Sequence, residues 1–102
     1  MATKIRLPYF AADTPCALPS DAEIDEAPDI LNYHRDKRLV VVGQYYVVKY
    51  GSDIDLLEGE NMLFASEHTG VRVPRVYALY TITPESGKAS HYIVMERIHG
   101  QN

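Results

Sequence analysis

The chain has 102 residues, with 14 Asp and Glu against 10 Lys and Arg and a formal net charge of −4. A chain of this length holds one domain and buries at most about two-thirds of its unfolded surface, and an apolar share of 46% is that of an ordinary globular protein. The acidic balance, with few basic residues around Lys37 and Arg38, offers nothing to a nucleic-acid backbone. A lone Cys16 makes no internal disulfide, and no Cys/His spacing suggests zinc. The first six residues lack the apolar stretch of a secretory signal, and no segment is long enough to cross a bilayer. The expectation is therefore a cytoplasmic protein with no membrane partner.

Residues 1–19 mix Pro8, Pro15 and Pro19 with isolated apolar residues and read as an extended arm. Ser20-Asp21-Ala22-Glu23 is a capping box that opens a short helix through about Glu26, and Pro28 ends it. The chemistry then turns to β. Ile30 to Tyr33 can supply one strand, and Arg38 to Val42 and Tyr45 to Tyr50 supply two more, joined at Gly43-Gln44 as a hairpin. Alternation puts Tyr45, Val47 and Lys49 on one face of the last strand and Tyr46, Val48 and Tyr50 on the other.

Gly51-Ser52-Asp53 breaks the sheet, and a helix is predicted from about Leu56 to Glu67. Met62, Leu63 and Ala65 form its apolar stripe, and Gly70 is suited to a left-handed stop. Val71 to Thr83, densest at Val76 to Tyr80, reads as strand interrupted by Pro74. Residues 84–88 form a turn, and His91 to Ile98 a final strand. The order is that of an α+β protein with an antiparallel sheet.

Two constellations can carry chemistry. Lys49 sits in an apolar strand, where an ammonium without an anion is costly. Glu58, on the Met62 and Ala65 side of the next helix, can pair with it and aim it at a phosphate. Equally, Lys49 can snorkel from a sheet edge while Glu58 completes an Asp55-x-x-Glu58 cap. Glu60 lies about 200° from Glu58 around a helix, so at most one faces the sheet, and Glu60 is expected in solvent. The second constellation is Met95-Glu96-Arg97-Ile98, where a strand that stops pairing frees backbone groups for a flat heteroaromatic ring, or simply exits into a turn. His34-Arg35-Asp36 mimics a kinase catalytic loop but precedes Lys49 and lacks an Asn five residues on, so a polar turn is expected there. Gln101, after His99-Gly100, cannot act as a base.

From Leu18 onward the chain resembles the aminoglycoside phosphotransferase/protein-kinase-like family, in particular its fungal-type branch. The matching runs are Leu18-Pro19-Ser20-Asp21-Ala22-Glu23-Ile24, Ala27-Pro28-Asp29-Ile30-Leu31, and Val42-Gly43-Gln44-Tyr45-Tyr46-Val47-Val48-Lys49-Tyr50-Gly51. They continue as Leu57-Glu58-Gly59-Glu60-Asn61-Met62-Leu63-Phe64, Val73-Pro74-Arg75-Val76-Tyr77-Ala78 and Tyr92-Ile93-Val94-Met95-Glu96-Arg97-Ile98-His99-Gly100.

The resemblance implies a kinase-like N-lobe over residues 20–98: a five-stranded antiparallel sheet with one crossing helix, preceded by the arm and a short helix. Residues 99–102 would begin a linker to a C-lobe that these residues do not include. It implies ATP, with Mg²⁺ whose ligands are not in this chain. Lys49 would hold the phosphates, Glu58 would pair with Lys49, and Val47 would lie over the adenine. Met95 would be the gatekeeper, with Glu96 C=O and Ile98 N–H as adenine contacts. No catalytic Asp is implied here, so the resemblance points to a transferase fragment that binds nucleotide weakly and transfers nothing. Its lower face, carrying Val47, Met62 and Met95, would be exposed to the missing lobe or a partner protein. The alternative is a stand-alone, non-enzymatic binding module.

Overall fold

The computed structural model describes residues 7–34, 36–70 and 72–98. Eight elements follow one another: β1 (Tyr9–Phe10), α1 (Asp21–Glu26), β2 (Asp29–His34), β3 (Lys37–Val42), β4 (Tyr46–Gly51), α2 (Leu56–His68), β5 (Val76–Ile82) and β6 (Ser90–Glu96). The strands form one antiparallel sheet in the order β1-β5-β6-β4-β3-β2. The protein is α+β, with six strands rather than the expected five. The extra strand comes from the arm: Tyr9 and Phe10 pair with Leu79 and Ala78 on the open edge of β5, and Ala11 N–H donates to Tyr77 O at 2.8 Å. Two paired residues, with prolines nearby, give no period-2 signal in a sequence.

Local chemistry explains the element ends. Ser20 caps α1 as the sequence indicates: its hydroxyl accepts from Glu23 N–H at 3.2 Å, and the Glu23 carboxylate accepts from Ser20 N–H at 2.8 Å. The β3–β4 hairpin closes through Gly43, Gln44 and Tyr45, not two residues, because Val42 pairs with Tyr46 and Gly43 takes φ +66°. α2 ends on Thr69 in an extended conformation. The Thr69 backbone N–H and its hydroxyl both donate to Ala65 O, so a left-handed Gly70 is not used. β5 starts at Val76, well after Pro74.

The sheet is covered by one helix on each face. On the α1 side Ile24 packs with Val40, Tyr46, Val48, Tyr50, Tyr92 and Val94. On the α2 side Leu63 and Ile54 pack with Val76, Leu79 and Ile93. β5 serves both clusters by alternation, with Ala78 and Tyr80 toward α1 and Leu79 toward α2, and the register shift between Val76 and Ala78 turns Val76 to the α2 side as well. The alternation expected for β4 holds, with Tyr46, Val48 and Tyr50 buried and Val47 and Lys49 half-buried on the opposite face. Among the described residues no helix is long and apolar enough to cross a membrane.

Candidate functional site

β4 lies inside the sheet, between β3 and β6, so Lys49 cannot snorkel from an edge. Its register neighbours are Leu39 on β3 and Ile93 on β6. The side chain is 15% exposed, and its ammonium reaches the Glu58 carboxylate with Nζ 3.1 Å from Oε1 and 2.8 Å from Oε2. Glu58 itself is 47% exposed. Asp55 caps α2 by accepting from Leu57 N–H at 2.9 Å, while the Glu58 carboxylate turns to the sheet. Glu60 is half-exposed and makes no part of the pair.

The position of Glu58 depends on its neighbour. Gly59 is buried, and a Cβ there would stand 2.3 Å from Leu79 Cδ2. Leu79 is fully buried, so the α2 backbone can lie this close to β5 only without a side chain. That contact sets the depth at which Glu58 meets Lys49. A glycine inside an otherwise helical pattern is the sequence signal for such an approach.

Beside the pair runs an apolar strip. Val41, Val47 and Met95 are register neighbours across β3, β4 and β6, and with Leu39 all are half-buried. Met62, one turn beyond Glu58, is half-buried as well and packs with Met95 against the α2-side core. Val47, Met62 and Met95, expected to be exposed, are half-buried, Met62 and Met95 because they pack on the α2-side core.

The sheet exit at Met95-Glu96-Arg97-Ile98 is firmly held. Glu96 N–H donates to Arg75 O at 2.8 Å, and the Glu96 carboxylate accepts from Arg75 N–H at 3.1 Å. Arg97 N–H donates to Tyr45 O at 2.9 Å, and its guanidinium Nη1 donates to Gly43 O at 2.7 Å. Arg97 therefore ties the exit to the β3–β4 turn, a role that nothing in the sequence announces. Ile98 follows, 61% exposed. The pairing of β6 with β4 stops at Glu96 and that with β5 at Met95.

Lys49, Glu58, Val47 and Met95 are gathered on one face of the sheet, and Glu96 and Ile98 mark its end. His34 closes β2 and Asp36 lies in the following turn; Arg35 and the 99–102 segment lie outside the described residues. Cys16 is exposed in the arm, and its carbonyl accepts from the Tyr46 hydroxyl on the opposite face. Among the described residues no three His, Cys, Asp or Glu side chains are grouped to hold a metal.

Set against protein-family models, curated proteins and solved structures, the chain matches none.

Proposed function

We propose that residues 20–98 form the ATP-binding lobe of a small-molecule phosphotransferase of the aminoglycoside phosphotransferase-like kind. The observation that carries this reading is the Lys49–Glu58 pair on an interior strand, beside a half-buried apolar strip. An ammonium has three N–H donors. Glu58 engages it with both oxygens yet stays half-exposed, which leaves donor capacity for a phosphate oxygen. The apolar strip of Val41, Val47 and Met95 suits one side of a flat base. Setting the arm strand aside, the lysine strand is third in chain order and is followed by the helix, and the last strand ends at Glu96. That sequence of elements is the one the family resemblance implies.

The lobe alone has little to bind with. Two neutral backbone hydrogen bonds contribute roughly 0.5–1.5 kcal/mol each and one charge-assisted bond roughly 1.5–3 kcal/mol. Association costs at least about 4 kcal/mol. ATP affinity is therefore about millimolar or weaker. A bound Mg²⁺ neutralises phosphate charge, and its carboxylate ligands would have to come from outside these residues. Lys49 and Glu58 orient the phosphates, and the chain transfers no phosphoryl group by itself.

The test is thermal unfolding with and without millimolar ATP. The parent chain gains stability with ATP and Lys49→Ala does not. An unchanged ATP effect in Lys49→Ala removes the site, and phosphate transfer by this chain to any acceptor removes the claim of incompetence. The half-buried strip also fits a second reading, a binding module that uses this face for a protein partner. In that case Lys49→Ala leaves partner binding largely unchanged.

A further inference from the structure

α2 buries one face and leaves apolar residues on the other. Successive residues advance by about 100° around a helix. Leu57, Asn61, Phe64 and His68 therefore fall within about 60° of one another, opposite the buried Gly59 and Leu63. Leu57 is 53% exposed and Phe64 46%. A helix serving only its own core would carry polar residues here. Phe64 is also held in place: its ring stacks on His68 at 4.3 Å and 18°, and His68 Nδ1 lies 3.1 Å from Phe64 O. An apolar side chain already fixed in one orientation loses less freedom on docking.

The stripe continues into a groove at the start of α2. Leu7 from the arm, Leu57 and Glu60 line this open hollow of about 520 Å³. Glu60 and Glu67 lie one turn-pair apart along one border of the stripe, and both are at least partly exposed. The stripe thus has apolar anchors seven residues apart with acidic side chains alongside. An antiparallel second copy of this stripe would bring acid against acid, which disfavours that self-pairing.

We propose that this outer face of α2, with its groove, docks a basic amphipathic helix of a partner protein. Two apolar side chains one heptad apart would cover Leu57 and Phe64, and flanking Lys or Arg would meet Glu60 and Glu67. The face points away from Lys49, so the inference stands independently of nucleotide binding.

The probe is a synthetic helical peptide of Leu and Lys in heptad arrangement, with a Leu/Glu peptide of the same pattern as its counterpart. Titration of the full 102-residue chain, followed by peptide anisotropy and by amide shifts, reads both affinity and location. The Leu/Lys peptide is expected to bind about tenfold or more tightly than the Leu/Glu peptide at low salt, with the gap narrowing as salt rises. Shifts should centre on Leu57, Phe64 and His68. Phe64→Ser and Leu57→Ser sit at exposed positions that leave the fold intact, and each should weaken binding about tenfold. Lys49→Ala should not change it. Equal affinity for the two peptides, shifts confined to the sheet, or indifference to both serine variants would overturn the proposal. Self-association of the parent chain that Phe64→Ser abolishes would overturn it too, since the occupant would then be a second copy.

Discussion

The two faces of this sheet each carry a cation–carboxylate pair, and the pairs are built differently. On the α1 side all three nitrogens of the Arg38 guanidinium are engaged within the fold. Nε and Nη2 donate to Asp29 Oδ1 at 3.1 and 2.8 Å, Nη1 donates to the Tyr50 hydroxyl, and the group lies 5.4 Å from the Tyr50 ring centre. Hydrogen bonding to Asp29 raises the pKa of Arg38 further, so this cation is permanent. On the α2 side Lys49 presents a compact charge to one carboxylate that is itself half-exposed. A planar fork suits a fixed internal network, whereas a point charge on a flexible stem can share itself with an incoming anion. The aromatic ladder sharpens the contrast. Phe10, Tyr80, Tyr92 and Tyr50 stack in turn across the α1 face at 5.9, 4.8 and 5.1 Å. One face is completed by its own chain, and the other keeps a charge and an apolar strip half-open.

The largest effect should come from the end of β4, the strand that carries residues of both faces. Gly51 ends β4 at φ +143°, and a Cβ there would stand 2.1 Å from Asp36 O. Strain at such a φ costs about 1–3 kcal/mol, and the backbone clash adds to it, so Gly51→Ala should lose about 3 kcal/mol or more. Equilibrium urea unfolding reads this, and a variant as stable as the parent would show that the β4–α2 turn is built otherwise.

Ile24→Ala comes next and should separate the faces. Ile24 is fully buried, the one buried residue of α1, and its truncation should cost about 2–5 kcal/mol. If the α1 face is only structural, ATP-induced stabilisation survives in the folded fraction of this variant. Its loss would mean that the faces are coupled.

Gly59→Ala should do the reverse. Overpacking against Leu79 costs about 1–3 kcal/mol, and alanine returns about 1 kcal/mol of helix propensity. The net loss of stability is small, yet the helix must move away from β5 and take Glu58 from Lys49. ATP-induced stabilisation should therefore fall by more than the fold does. Equal retention of both would show that Glu58 is not positioned by this contact.

Most of the fold was legible because the sequence speaks in local periods. The Ser20 cap, the β-branched runs on either side of Gly43 and the Leu56 helix all declare themselves within a few residues. The preference for Glu58 over Glu60 was legible only in part: helical angle lets at most one face the sheet, the shared side with Met62 and Ala65 favours Glu58, and the ion pair itself decides between them. What the sequence could not show is long-range. The pairing of Tyr9 and Phe10 with β5 joins residues some seventy positions apart. Arg97 reaches the Gly43 carbonyl across the sheet, and Thr69 displaces Gly70 as the end of α2 through a side-chain bond. The apolar outer face of α2 was hidden differently: Phe64 counts as a helix residue in any pattern, and only its exposure shows that its own core leaves it unused.

The last effect is a pH dependence on the α1 face. Burial, helped by the Asp21 carboxylate, pushes Tyr80 and Tyr92 from 10.0 up to about 12. Between these values the unfolded chain has released protons that the folded chain still holds. The unfolded state then binds fewer protons, so stability is full below pH 10 and falls as pH rises toward 12. Tyr92 is stacked between Tyr50 and Tyr80, and Tyr92→Phe removes one of the titrating groups while keeping the stack. The loss of stability with pH should be shallower in this variant than in the parent. Urea midpoints at pH 9 to 12 would read the slope, taking parent and variant together at each pH. An unaltered slope would mean that the Tyr92 hydroxyl meets solvent, and that the α1 face is less closed than its stacked rings indicate.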